Sequence, residues 1–261
     1  MKASRNLVAT IVLIMVAHAQ VHAISWTEKF DTGVGLLNST VGNGATDFVY
    51  NGTNQNLDAS FVRNTTSNAR FAVLGSAFTE NSIATMSVEI TPLSVVGGGR
   101  PRLGFFDSST GDAIIWVELD NAPLPGRIGP LHIGKGDSAT RTEFEFSSLQ
   151  TWDFNETYLL EVALNGLTNE VSLSASILNG SSFDLLQTES FNFGALTFSF
   201  DAVGIGNVND TSGESAGNPF TALIDNVSFS TPDPAMVPEP ATATLGLLAL
   251  GGLMLRRRRM A

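Results

Sequence analysis

Glu118 and Asp120 stand two residues apart in the run Trp116-Val117-Glu118-Leu119-Asp120. A strand of period two places both carboxylates on one side. Two carboxyl groups about 5 Å apart are the machinery of retaining glycoside hydrolysis, one as nucleophile and one as proton donor. Glu118 and Asp120 are the carboxylates from which a hydrolase reading would start, with the second member of a catalytic pair still to be found. Pro123 closes the run three residues later, because proline has no N–H for a strand ladder. A nucleophilic triad would need His132, since His18 and His22 fall in the first 23 residues. A lone histidine on a strand edge reads first as a packing or surface residue.

Other chemistries are bounded by residue types. The chain has no cysteine, so thiolate nucleophiles, disulfides and cysteine-based zinc sites are excluded. Two oxygen-rich loops offer the hard ligands of a structural Ca²⁺. One carries Asp107 and Asp112, the other Asp210 and Glu214. Asp, Ser and Gly also suit tight turns for backbone reasons alone, and neither loop has EF-hand spacing. Among the aromatic residues that could stack on a sugar, Trp116 lies mid-strand and reads as core. Trp152, in a loop-like stretch, is the candidate ligand-binding surface aromatic, with a core or turn-plug role as the other reading.

The elements that must position these residues are strands. Ala84, Met86, Val88 and Ile90 alternate with Thr85, Ser87, Glu89 and Thr91, and Val171, Leu173, Ala175 and Ile177 alternate with serines. Phe144 and Phe146 alternate with Glu143 and Glu145. Turn formers separate such runs along residues 24–229, and no amphipathic helical stretch interrupts them. About a dozen or more strands without crossover helices predict an all-β fold: a single antiparallel two-sheet β-sandwich, too many strands for a seven-stranded immunoglobulin-like domain. Strands are expected over Trp26–Phe30, Asp47–Tyr50, Phe61–Asn64, Arg70–Phe78, Arg102–Phe106, Ala113–Leu119, Tyr158–Asn165, Leu185–Phe193, Phe198–Ile205 and Thr221–Phe229.

The two ends read as sorting labels. Residues 1–23 combine a basic start (Lys2, Arg5), an apolar stretch from Leu7 to Ala17 and small residues before Ile24, the layout of a signal peptide. Residues 230–240 form a proline-rich tether. Residues 241–261 join a short apolar helix, at about 1.5 Å per residue too short to cross a ~30 Å bilayer core comfortably, to Arg256, Arg257, Arg258 and Arg259. Such a cluster stays cytoplasmic and stops export. Between the labels lie 25 acidic and 8 basic side chains, a formal charge of −17. That surface disfavours nucleic acid.

The motif Val237-Pro238-Glu239-Pro240, the glycine-containing apolar segment and the terminal arginines resemble the PEP-CTERM sorting domain of Gram-negative bacteria. The resemblance implies signal peptidase and an exosortase-type membrane protease as partners. It also implies transient membrane anchoring, then release at the cell surface or in an exopolysaccharide matrix. The opening Trp26–Gly33, the hairpin Arg102–Leu119 and the closing Thr221–Ser230 resemble concanavalin A-like lectin and glucanase domains, which implies a jelly roll whose first and last strands pair. Glucanases of that class carry Glu-x-Asp-x-x-Glu. Glu118 and Asp120 match its first two positions, and Pro123 stands where the second glutamate belongs, so the acid/base partner is missing. The expectation is an exported, non-catalytic structural or carbohydrate-binding module with extracellular polysaccharide as partner. The alternative is a glycan-degrading enzyme in which Glu118 is one catalytic carboxylate.

Overall fold

The computed structural model of the protein describes residues 24–62, 68–96, 99–120, 126–134, 142–207 and 219–232. The signal-peptide reading (1–23), residues 233–240 of the tether, the 241–261 tail, and Asp210 and Glu214 lie outside the described residues. Ser25–Thr231 is one compact unit.

The predicted all-β sandwich is what forms: two antiparallel sheets of eight strands each. The first sheet runs β14 (Ser182–Asn192), β13 (Glu170–Asn179), β12 (Tyr158–Asn165), β6 (Ile83–Val95), β16 (Pro219–Ser230), β4 (Asn56–Val62) and β3 (Phe48–Asn51), with β1 (Ser25–Glu28) also on β16. The second runs β10 (Thr142–Phe144), β9 (Gly126–Ile133), β8 (Ala113–Asp120), β7 (Pro101–Phe106), β15 (Ser199–Asn207), β5 (Ala69–Thr79) and β2 (Ser39–Val41), with β11 (Thr151–Trp152) on β9. A single helical turn, α1 (Gly44–Asp47), precedes β3. The first strand pairs with the last, Trp26 opposite Phe229.

The core follows from the alternation. In β6 the residues Ala84, Met86, Val88 and Ile90 are buried while their neighbours are half-exposed. Aromatic rings knit the sheets together: Phe105 of β7 lies 4.5 Å from Phe200 and 6.4 Å from Phe229, ring centre to ring centre. Several elements depart from expectation, among them β2, whose three residues are too few to show a period. Strand β4 begins at Asn56, earlier than Phe61. Strand β9 is missed because Gly126, Gly129 and Pro130 read as a turn. Proline is accommodated there at a bulge, where Leu119 faces both Ile128 and Gly129. Strand β11 is too short to show a period.

Truncating Phe105, which is fully buried, leaves a cavity shared by both sheets. Phe105→Ala is expected to lower stability by about 3–5 kcal/mol, read as a drop in the urea midpoint with the slope unchanged.

Candidate functional site

Strands β7 and β8 are buried at every position, on both faces. Leu103, Phe105, Val117 and Leu119 supply the face shared with the first sheet. The other face carries the chemistry. Arg102 pairs across the ladder with Glu118, Gly104 with Trp116, Trp116 with His132, and His132 with Glu143. Directly opposed residues share a face, so four strands bring arginine, glutamate, tryptophan and histidine together. Arg100 and Arg127 join from the flanks.

Trp116 is the platform. The Arg102 guanidinium sits 4.7 Å from its ring centre, and the His132 ring stacks at 4.8 Å. Glycine at position 104 leaves room: a Cβ there would lie 2.0 Å from the Ile115 carbonyl oxygen. The Trp116 indole donates to Glu118 Oε1 at 3.2 Å. The same oxygen faces His132 Nε2 at 3.5 Å and Arg102 Nε at 3.7 Å. Arg100 bridges both carboxylates, with Nη1 3.5 Å from Glu118 Oε2 and Nη2 3.4 Å from Asp120 Oδ1. Arg127 donates to Asp120 Oδ2 at 2.7 Å and to Glu145 at 3.1 Å.

Glu118 is 2% exposed. Burial alone would push its carboxyl up. The neighbouring His132, Arg102 and Arg100 outweigh that and bring it down to about 2. Glu118 is therefore an anion at every physiological pH. It is no proton donor, and its oxygens are already occupied. Glu118 and Asp120 do share one face, as the spacing requires. They are bound into an ion network rather than facing each other across a gap.

His132 is 1% exposed and lies on β9 between β8 and β10, not on an open edge. Its Nδ1 faces Glu143 Oε1 at 3.6 Å, and neither ring nitrogen makes a hydrogen bond of ordinary length. Trp152 is not a surface aromatic. It is 1% exposed, and its indole donates to the Asp120 carbonyl at 3.0 Å, sealing the end of β8. A Cβ on Gly126 would strike the Trp152 ring, so glycine makes that seat. Sequence alternation could not find it, because β11 is two residues long.

The Asp107–Asp112 loop is a closed turn. Asp107 N donates to the Asp112 carbonyl at 2.9 Å, and Asp107 Oδ1 accepts from Ser109 N and Oγ at 2.9 and 2.6 Å. Among the described residues no group of three or more His, Asp or Glu side chains is placed to hold a metal ion. Residues 213–217 spell Gly-x-Ser-x-Gly, which corrects an expectation that the chain holds no such run. They lie outside the described residues, and a nucleophile turn of that kind needs a strand feeding a helix.

Replacing the central anion should expose the cost of the network. Glu118→Gln removes the buried carboxylate that Arg100 and Arg102 share and is expected to destabilise the fold by about 3–5 kcal/mol at pH 7. The Glu118 carboxyl titrates lower folded than unfolded, where 4.5 is usual. Its contribution is therefore present above about pH 4.5 and is lost as pH falls toward 2. Urea midpoints from pH 7 to pH 2.5 should decline steeply in the parent and less in the variant.

No protein-family model matches the chain, and no curated protein matches it in sequence. Solved structures match in shape. A protein of unknown function from Shewanella oneidensis MR-1 is 13% identical with a TM-score of 0.52, over 88% of this chain and 96% of that one. Peanut lectin is 13% identical with a TM-score of 0.47, over 80% and 97%. Alginate lyase A1-II′, a member of polysaccharide lyase family 7, is 14% identical with a TM-score of 0.47, over 72% and 85%. At these identities the likeness is one of fold, the antiparallel two-sheet β-sandwich.

Proposed function

We propose that the protein is an exported surface or matrix component whose sandwich binds polysaccharide without cleaving it. One observation carries the non-catalytic part: Glu118, the best-placed carboxylate for glycan hydrolysis, is buried, ionised and surrounded by Trp116, His132, Arg100 and Arg102. The nucleophile of retaining hydrolysis must be ionised and must reach substrate; Glu118 is ionised, but it is buried and its oxygens already face Arg100, Arg102, His132 and the Trp116 indole. A structural role for the cluster explains the same contacts.

Export rests on the sequence. Signal peptidase would remove residues 1–23, and an exosortase-type protease would cut near Val237–Pro240 once Arg256–Arg259 stop the tail at the inner membrane of a Gram-negative cell. The −17 charge between the labels suits a soluble, hydrated body outside the cell. Intact mass of protein recovered from its host is expected to lack Arg256–Arg259. Retention of all four would leave the tail a plain anchor.

Glycan binding is tested by thermal shift. A ligand that prefers the native state raises Tm in proportion to its occupancy. A dose-dependent rise with one polysaccharide class, without release of reducing ends, is the expected result. Release of reducing ends by the folded parent protein would instead establish the glycan-degrading alternative.

A further inference from the structure

A groove of about 540 Å³ opens on the face of the first sheet that turns away from the core, across β3, β4, β16 and β6. Its volume falls in the ~300–1,000 Å³ range of ligand clefts. Its floor is set by register. Val49, Asp58 and Leu223 pair directly across β3, β4 and β16, and Ser60 pairs with Thr221 in a parallel row. Leu93 of β6 completes one wall. Val49 and Leu93 are 48% and 40% exposed, unusual for large apolar side chains on a sheet face otherwise rich in hydroxyls.

We propose that this groove is the glycan contact site, and that it takes neutral, hydroxyl-rich sugar chains rather than polymers of uronic acids. The inference rests on the glycan-binding reading above. A neutral sugar ring is amphipathic, with C–H patches on its faces and hydroxyls around its rim. Val49, Leu93 and Leu223 offer apolar surface for the first, and Asp58, Ser60 and Thr221 offer acceptors and donors for the second. Asp58 is pre-oriented. Asn51 Oδ1 accepts from Thr53 N at 3.0 Å and Asn54 N at 3.3 Å, which fixes the amide so that Nδ2 donates to Asp58 Oδ2 at 3.0 Å. Among the described residues the other Asp58 oxygen makes no hydrogen bond. Charge selects the ligand class. Among the described residues that line the groove, the ionisable groups are Asp47 and Asp58, with no Lys, Arg or His. A polyuronate would bring like charge to like charge, and the arginines of the network sit on the other sheet, paired with carboxylates.

The test uses the full chain with neutral galactomannan and mixed-linkage β-glucan against alginate and polygalacturonate. Two variants accompany it, Asp58→Ala and Leu93→Asp, both at half-exposed or exposed positions where the fold tolerates change. The expected result is binding of a neutral polymer, little response to either uronate, and at least a tenfold weaker Kd in both variants with Tm of the free protein unchanged. Full affinity in both variants would overturn the site while leaving glycan binding intact. Tighter binding of a uronate would overturn the ligand class. Silence with all four polymers would overturn this inference together with the reading it rests on.

Discussion

One buried anion organises the second sheet. Glu118 loses its water on folding, a penalty of several kcal/mol that only close counter-charges and hydrogen bonds offset. Arg102, Arg100, His132 and the Trp116 indole supply them from three strands and a flank. Sliding β7 or β9 by one residue would turn Arg102 or His132 to the opposite face and strand the carboxylate. Electrostatics thus specifies the β7–β8–β9 register on a face where burial on both sides gives no polar alternation to do it. Arg100, Arg102 and Arg127 are balanced there by Glu118, Asp120 and Glu145, so the body's excess of 25 acidic over 8 basic side chains lies outside the network.

The two sheets solve different problems. The first has a wet outer face where hydroxyls satisfy each other across strands: Ser87 with Ser228, Ser94 with Thr221 and Thr91 with Thr157, each at 2.7 Å. Such a face stays soluble and still offers donors and acceptors. Its long edge strand β14 is blunted against pairing with other chains. A bulge places Leu186 out of register, and the side chains of Gln187 and Glu189 are tied to the Ser147–Gln150 loop. The second sheet instead seals its charged face.

Much of the sandwich was legible in the sequence because it depends on period-two burial. Strands such as β6, β12 and β13 bury one face, and their apolar residues alternate accordingly. The spacing of Glu118 and Asp120 likewise puts both on one face of a strand. The pairing of β1 with β16 followed from a resemblance rather than from any local signal. Strand β9 was illegible because Gly129 and Pro130 mark turns locally, and only the bulge opposite Leu119 accommodates them.

Fold class, acidic character and the lack of thiol chemistry can be read along the chain, because strand period, charge and residue type are local properties. What those residues do depends on long-range pairing. Glu118 and His132 lie fourteen positions apart and become neighbours through strand pairing. Trp152, read as a surface aromatic, became a core plug because Gly126 leaves space for its ring. Val49, Asp58, Leu93 and Leu223 form one groove through register across four strands. Proximity between distant residues costs chain entropy that only the whole core repays. For that reason the identity of a site resides in the assembled fold rather than in any window of the sequence.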